Sequence, residues 1–229
     1  MVPARDEAAR IGSCLQAVDD AAARVRRSGV CVEVVVVADT CLDDTADLAE
    51  ATGALVPRVR LGTVGAARAH GVLVGLDALA VPPATVWVAC TDADSQVPPG
   101  WLETQLALAD AGADVVLGTV RVDPGTVGPD ALSRWEHDYA LGGALRGPGA
   151  HGHVHGANLG VSAHAYLAVG GFAPVGEHED RLLVDALARA GARAAWTTLA
   201  VTTSPRTHGR TPGGFSQVMA EMSSALRPV

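Results

Sequence analysis

Val86-Trp87-Val88-Ala89-Cys90, followed by Thr91-Asp92-Ala93-Asp94-Ser95, is the stretch that decides the fold. An apolar run bounded by a polar cluster predicts a buried central strand rather than a half-exposed one. Two aspartates, one residue apart, then stand where that strand leaves the sheet. In an open α/β sheet, ligands bind at the carboxyl ends of the strands. Carboxylates are hard oxygen donors that suit Mg²⁺ or Mn²⁺, and Mg²⁺ usually combines one or two of them with substrate phosphates. One reading is therefore a site for a divalent metal and a diphosphate. The other is a helix start, because Asp and Ser ahead of Pro98-Pro99-Gly100-Trp101 can cap the next helix.

Working outward, strands and helices alternate on both sides of this stretch. Before it, Ile11, Leu15, Val18, Ala22 and Val25 recur at helical spacing, and Val32 to Val37 is a β-branched strand closed by Ala38-Asp39. Asp43-Asp44-Thr45 starts a helix that Gly53 stops; Leu55 to Leu61 is extended, and Gly65-Ala66-Ala67-Arg68 opens a helix running to about Leu79. After it come a helix over 101–111, a strand over 114–122 and a helix marked by Leu132, Trp135 and Tyr139. A glycine- and histidine-rich loop over 142–156 follows, then an extended piece at 158–161 and a short helix ending at Gly170-Gly171. Glu177-His178-Glu179-Asp180 starts a further helix, Ala194 to Val201 is a strand, and Phe215, Val218, Met222 and Leu226 stripe a last helix. This order predicts an α/β sandwich on a mainly parallel sheet. One domain is expected over 1–229, with donor contacts in the half up to about residue 122 and acceptor contacts in the half from about 123.

The chain has 229 residues, a net charge of −8, and arginine as its basic residue with no lysine. A diffuse acidic balance argues against non-specific nucleic-acid binding and against an anionic membrane as main partner. The lack of lysine excludes a Schiff base or a P-loop lysine. Cys14, Cys31, Cys41 and Cys90 are scattered without a C-x-x-C pair, which favours reduced thiols in the cytoplasm over disulfides or zinc. No signal peptide opens the chain and no apolar run reaches the length of a membrane span.

With those residues in view, the chain resembles the family 2 glycosyltransferases of the GT-A fold. Val2-Pro3-Ala4-Arg5-Asp6-Glu7 is similar to the family's opening "VVPAxNE" segment, and Val35 to Thr45 to its "VVVDDxSxDxT" strand end. Gly65-Ala66-Ala67-Arg68 takes the place of its glycine-rich helix start, Asp92-Ala93-Asp94 that of the DxD motif, and Glu179-Asp180-Arg181-Leu182-Leu183 that of "EDxxL". Ala38 departs from the pattern by replacing the first of two aspartates. The resemblance also implies apolar residues before Val2 that form a first strand, so either the natural start lies upstream of Met1 or a very short strand suffices.

The resemblance implies a nucleotide-diphospho-sugar donor and a hydroxyl acceptor. Ala4, Arg5 and Glu7 would border the donor's base, and Asp39 would hydrogen-bond base or ribose, the alternative being an Asx turn. Arg68, near a helix start that favours anions, would hold the diphosphate or the base, or be a surface charge. Asp94 would ligate Mg²⁺ or Mn²⁺, with Asp92 sharing the metal or facing the ribose. Asp180 would be the base that takes the acceptor's proton during inversion, with Glu179 orienting it. Inversion by transfer needs one base, unlike the carboxylate pair of a hydrolase. In the late loop, Arg206 and Arg210 suit phosphate geometry and His208 is a possible further metal ligand, against a plain solvated loop. His151, His153 and His155 alternate, and in extended backbone share one face; they would bind a transition metal, line the acceptor mouth, or serve only as loop residues.

The expected reaction is metal-assisted transfer of a sugar with inversion. Three rivals stand beside it. A retaining transferase of the same fold needs no Asp180 base, a nucleotidyltransferase normally uses a lysine, and a non-catalytic binder of nucleotide sugars or carbohydrate would need neither motif.

Overall fold

The computed structural model describes residues 1–124, 129–143 and 151–204. The stripe beginning at Ile11 forms α1 (Ile11–Arg26), which buries Ile11, Cys14, Leu15, Val18, Ala22 and Val25. It is preceded by β1 (Val2–Ala4) and followed by β2 (Val36–Asp39), α2 (Thr45–Glu50) and β3 (Arg58–Val59). Then come α3 (Val64–Leu79), β4 (Trp87–Cys90), β5 (Ser95–Gln96), α4 (Trp101–Asp110) and β6 (Val115–Val122). The chain continues through α5 (Pro129–Gly143), a 3₁₀ turn at Gly156–Asn158, β7 (Leu159–Ser162), α6 (Ala163–Ala168), α7 (Glu179–Arg189) and β8 (Ala194–Thr203). The expected helix over 215–226 lies outside the described residues.

Strands β1, β2 and β3 pair in parallel, β1 beside β2 and β2 beside β3. The other sheet runs β4-β7-β6-β8-β5. Two bonds join them edge to edge: the Met1 amino group donates to Ala89 O at 2.7 Å, and Thr91 N–H donates to Met1 O at 3.2 Å. The parallel order expected from the alternation thus holds from β3 through β2 and β1 to β4. Beyond β4 the sheet is mixed, because β7 is antiparallel to both β4 and β6, and β5 to β8, while β6 and β8 are parallel.

Some boundaries differ from the sequence reading. The strand expected over 32–37 is displaced to Val36–Asp39, with Val35 bridged singly to Leu55, because ladder partners exist only where β1 and β3 run. Ser95–Gln96, expected to lie outside any strand, pairs with β8. The short helix expected to end at Gly170-Gly171 begins at Ala163, where the Ser162 hydroxyl accepts from Ala165 N–H at 3.2 Å and caps it, and runs to Ala168.

Alternation along each strand divides the core. Val36 packs with α1, while Val35 and Val37 pack with Ala67 of α3. On β4, Val88 and Cys90 face the side of α3, α6 and α7, and Ala89 the side of α1 and α4. The sheet is therefore sandwiched between helical layers. Among the described residues no helix is long and apolar enough to cross a membrane.

Candidate active site

Because β1, β2 and β4 are parallel, the chain leaves them at one edge of the sheet, and the segments after each meet there. Asp39, the last residue of β2, is only 3% exposed. Its carboxylate accepts from Leu61 N–H at 2.7 Å, Gly62 N–H at 2.9 Å and the Thr40 hydroxyl at 3.0 Å. Arg5, from the loop after β1, donates Nη2 to Asp39 Oδ2 at 2.7 Å and Nε to the Asp39 carbonyl at 3.0 Å. Burial alone would raise the Asp39 carboxyl; the N–H groups of Gly62 and Leu61, the Thr40 hydroxyl and Arg5 outweigh it and hold the group below the usual carboxylate range. Asp39 thus fastens the loop between β3 and α3 rather than forming a local Asx turn, and the half-buried Arg5 is the polar side chain that covers it.

Ala4 is buried at the end of β1, and its carbonyl accepts from Cys41 Sγ at 3.4 Å. Glu7 is buried as well; its N–H donates to Thr45 Oγ1 at 2.7 Å, and its carbonyl accepts from Arg10 and Ile11 at the start of α1. The backbone of Glu7 therefore ties α1 to α2.

After β4, Ala93 is buried while Asp92 and Asp94 are half-buried, so the intervening alanine anchors the turn and leaves both carboxylates off the core. The N-cap of α4 is Gly100, with no side-chain cap, so neither aspartate caps that helix. Cys14 of α1 holds the turn through Sγ to Asp92 O at 3.3 Å, and burial, with Asp92 and Asp94 nearby, pushes its thiol up to about 12. One Asp92 oxygen, Oδ1, is engaged by Arg68. With Asp94, the turn offers hard oxygen donors of the kind Mg²⁺ and Mn²⁺ take.

Arg68 is 2% exposed and sits one turn into α3. Its Nη2 donates to Asp92 Oδ1, its Nε to Glu179 Oε1 at 3.0 Å, and its Nη1 to the Gly156 carbonyl at 3.2 Å, with Phe172 below at 5.9 Å from the ring centre. The surface-charge alternative is excluded, and protein groups take up the guanidinium. Burial works against its charge, but Asp92 and Glu179 more than compensate, so Arg68 stays protonated. Glu179 opens α7 in a buried position; burial pushes its carboxyl above the usual range, opposed by Arg68 and reinforced by Asp180.

Asp180 is half-buried beside it. Its Oδ2 accepts from Gly156 N–H at 2.8 Å and its Oδ1 from Arg181 N–H at 2.7 Å. Gly156 thus holds Asp180 through its N–H and Arg68 through its carbonyl. A Cβ there would lie 2.5 Å from Arg68 Nη2, so any side chain at this position would displace the guanidinium. No side chain announces this position, although the Gly156-Ala157-Asn158-Leu159 stretch holds it.

The histidines do not converge as ligands. Tyr139 of α5 stacks on His153 at 3.7 Å between ring centres, with Trp135 at 4.7 Å and His155 at 5.7 Å. The Tyr139 hydroxyl accepts from Val120 N–H at 3.0 Å and meets His155 Nε2 at 3.0 Å. Burial, with His153, His151 and Arg181 adding to it, drives His155 down to about 3 and keeps it neutral. His153 donates Nε2–H to the Tyr139 carbonyl at 2.9 Å. Among the described residues, the side chains whose possible ligand atoms lie within 4.8 Å of one another are Asp6, Cys41 and Asp43. Arg206, His208 and Arg210 lie outside the described residues.

The fold is that of the GT-A nucleotide-sugar transferases. The *S. aureus* TarS 1-349 structure superposes with a TM-score of 0.62 at 17% identity, over 97% of this chain and 63% of that one. Mannosyltransferase PcManGT from *Pyrobaculum calidifontis*, in complex with GDP-Man and Mn²⁺, gives 0.63 at 18% identity, over 98% and 68%. Glucosyl-3-phosphoglycerate synthase from *Mycobacterium tuberculosis*, with Mn²⁺ and UDP-Glc, gives 0.57 at 20% identity, over 98% and 74%. The chain therefore spans less than two thirds of the TarS structure. No curated protein matches it in sequence. The model of glycosyl transferase family 2 matches residues 1–167, which take in the strands from β1 to β7 and the Asp92–Asp94 turn, and the chain belongs to that family.

Proposed function

We propose that this chain transfers a sugar from a nucleoside-diphosphate donor to a hydroxyl acceptor with inversion, using Mg²⁺ or Mn²⁺. The observation that carries the reading is that one guanidinium links the Asp92–Asp94 turn to Asp180: Arg68 engages Asp92 directly and reaches Asp180 through Gly156. A donor-side pair of carboxylates and an acceptor-side base are needed within one crevice for in-line attack. The solved relatives carrying Mn²⁺ with GDP-Man or UDP-Glc support the donor class and the cation.

Asp94, with the second oxygen of Asp92, would hold the cation, which when bound supplies positive charge to the departing diphosphate. Arg5 and Asp39 border the base-binding end of the crevice. Each Asp180 oxygen accepts one backbone N–H, which leaves lone pairs to receive the acceptor's hydroxyl proton as the new glycosidic bond forms. The half up to about residue 122 would bind the donor and the half from about 123 the acceptor, with Arg206, His208 and Arg210 contributing to the donor phosphates or the cation. A cytoplasmic location belongs to the same reading, supported by four cysteines that are all free.

Asp180→Asn tests the base. The variant is expected to bind UDP or GDP with Mn²⁺ as the parent does and to lose transfer by about 100-fold or more, measured as donor turnover. Transfer at the parental rate would refute the base assignment. Proton NMR of the product's anomeric centre decides inversion against retention.

A further inference from the structure

We infer that Arg68 is a positioning residue that fixes the donor-side turn and the acceptor-side base in one geometry. This rests on the reading of Asp92 as donor-side and Asp180 as the base. The guanidinium is planar, and its donors point in fixed directions. Here each of three nitrogens meets a different segment: Asp92 after β4, Glu179 at the start of α7, and the Gly156 carbonyl ahead of β7. These segments are far apart in sequence and belong to both halves of the chain. Gly156 then turns its other face to Asp180, donating N–H to Oδ2 at 2.8 Å. Holding the Gly156 carbonyl orients the peptide that precedes Ala157 and holds the turn from which the N–H reaches Asp180. Arg68 is 2% exposed, and its guanidinium is taken up by these protein groups. Its action is through Gly156 and Asp92.

The arrangement explains features that a plain buried ion pair does not need. A buried arginine facing two carboxylates requires only charge, which lysine also supplies. An ammonium carries its donors on one compact nitrogen, whereas the guanidinium spreads them over three nitrogens in one plane, and that spread reaches Asp92, Glu179 and the Gly156 carbonyl at once. Lysine keeps the charge and loses the fork, so Arg68→Lys separates geometry from charge balance.

The test compares Arg68→Lys, Gly156→Ala, the double variant and Asp180→Asn, using Mn²⁺ with UDP-glucose and GDP-mannose as probes. Two readouts are taken: donor turnover, split into kcat and KM, and the amide proton shift of Gly156 by NMR on the ¹⁵N-labelled chain. A misplacement of about 1 Å at a reacting group costs about 100-fold. Arg68→Lys is therefore expected to lower kcat about 100-fold with KM changed less than about threefold, and to move the Gly156 amide upfield as its bond to the carboxylate lengthens. Because both single changes act through one contact, the double variant is expected to fall no further than the weaker single variant. An unmoved Gly156 amide in Arg68→Lys overturns the inference, as does multiplication of the two single losses. Gly156→Ala keeps the question open to test if Arg68→Lys melts below room temperature, since it leaves the buried charges intact; parental kcat in that variant likewise overturns it. Parental turnover in Asp180→Asn overturns the base reading instead, and the amide shift still decides whether Arg68 sets the Gly156 peptide.

Discussion

Asp39 collects main-chain N–H groups from Leu61 and Gly62, the Thr40 hydroxyl and the Arg5 guanidinium around one buried carboxylate. These donors favour the charged form, so the folded chain holds Asp39 ionised at a lower pH than the unfolded chain does. A carboxyl depressed on folding contributes stability above its unfolded value, near 3.9, and that contribution is lost as pH falls through the lower folded value. Asp39→Asn is expected to lose about 1–3 kcal/mol at pH 7, because charge-assisted bonds become neutral and one amide N–H faces Gly62 N–H. Below about pH 4 the gap between variant and parent should narrow, since the parent now loses what the variant never had. Urea midpoints from pH 7 to pH 2 measure this, and parallel curves would contradict it. The residue itself was visible in sequence as a carboxylate at a strand end. Its donors were not, because Leu61 and Gly62 act through backbone atoms that no residue type marks.

The 3₁₀ turn at Gly156–Asn158 and the paired strands β6 and β8 depend on each other. Their register shifts between Gly118 and Val120, which leaves carbonyls at the irregularity without ladder partners. Asn158, 1% exposed, fills the gap: Nδ2 donates to Thr119 O at 2.8 Å and Leu199 O at 2.9 Å, and Oδ1 accepts from Trp101 Nε1 at 2.8 Å. Gly118 accommodates it, since a Cβ there would lie 2.2 Å from Asn158 Nδ2. Asn158→Ala strips partners from the buried Trp101 Nε1 and from two part-buried carbonyls, and a loss of about 2 kcal/mol or more is expected in chemical denaturation. A loss under about 1 kcal/mol would mean that water replaces the amide. Elements whose signal is local, α1 with its apolar stripe and α3, expected from Gly65 to about Leu79 and found at Val64–Leu79, were legible in the sequence. The shift of β2 and the pairing of Ser95–Gln96 were not, because each depends on which distant strand lies alongside.

Across the whole molecule, alternation of strands with helices was enough to predict a sandwich, and the carboxyl-edge rule was enough to expect Asp39, Asp92 and Asp94 where β2 and β4 end. What alternation does not encode is strand direction beyond β4, where β7 enters antiparallel and brings Gly156 and α7 against Arg68. The half of the site built from the second part of the chain is therefore a product of topology. That division yields a test at the level of global stability. A ligand that binds only the folded state stabilises it by RT ln(1 + [L]/Kd), about 2.7 kcal/mol at a hundredfold excess over Kd. For a chain of this size each kcal/mol raises Tm by about 2–4 °C, so saturating UDP or GDP with Mn²⁺ is expected to raise it by about 5–10 °C. If Asp94 holds the cation, Asp94→Ala removes the Mn²⁺-dependent part of that shift, and chelator does the same to the parent. Asp180→Asn, on the acceptor side, should retain the full shift. A nucleotide shift independent of Mn²⁺ and of Asp94 would detach the turn after β4 from the cation, while no shift with either nucleotide would remove the donor from the reading.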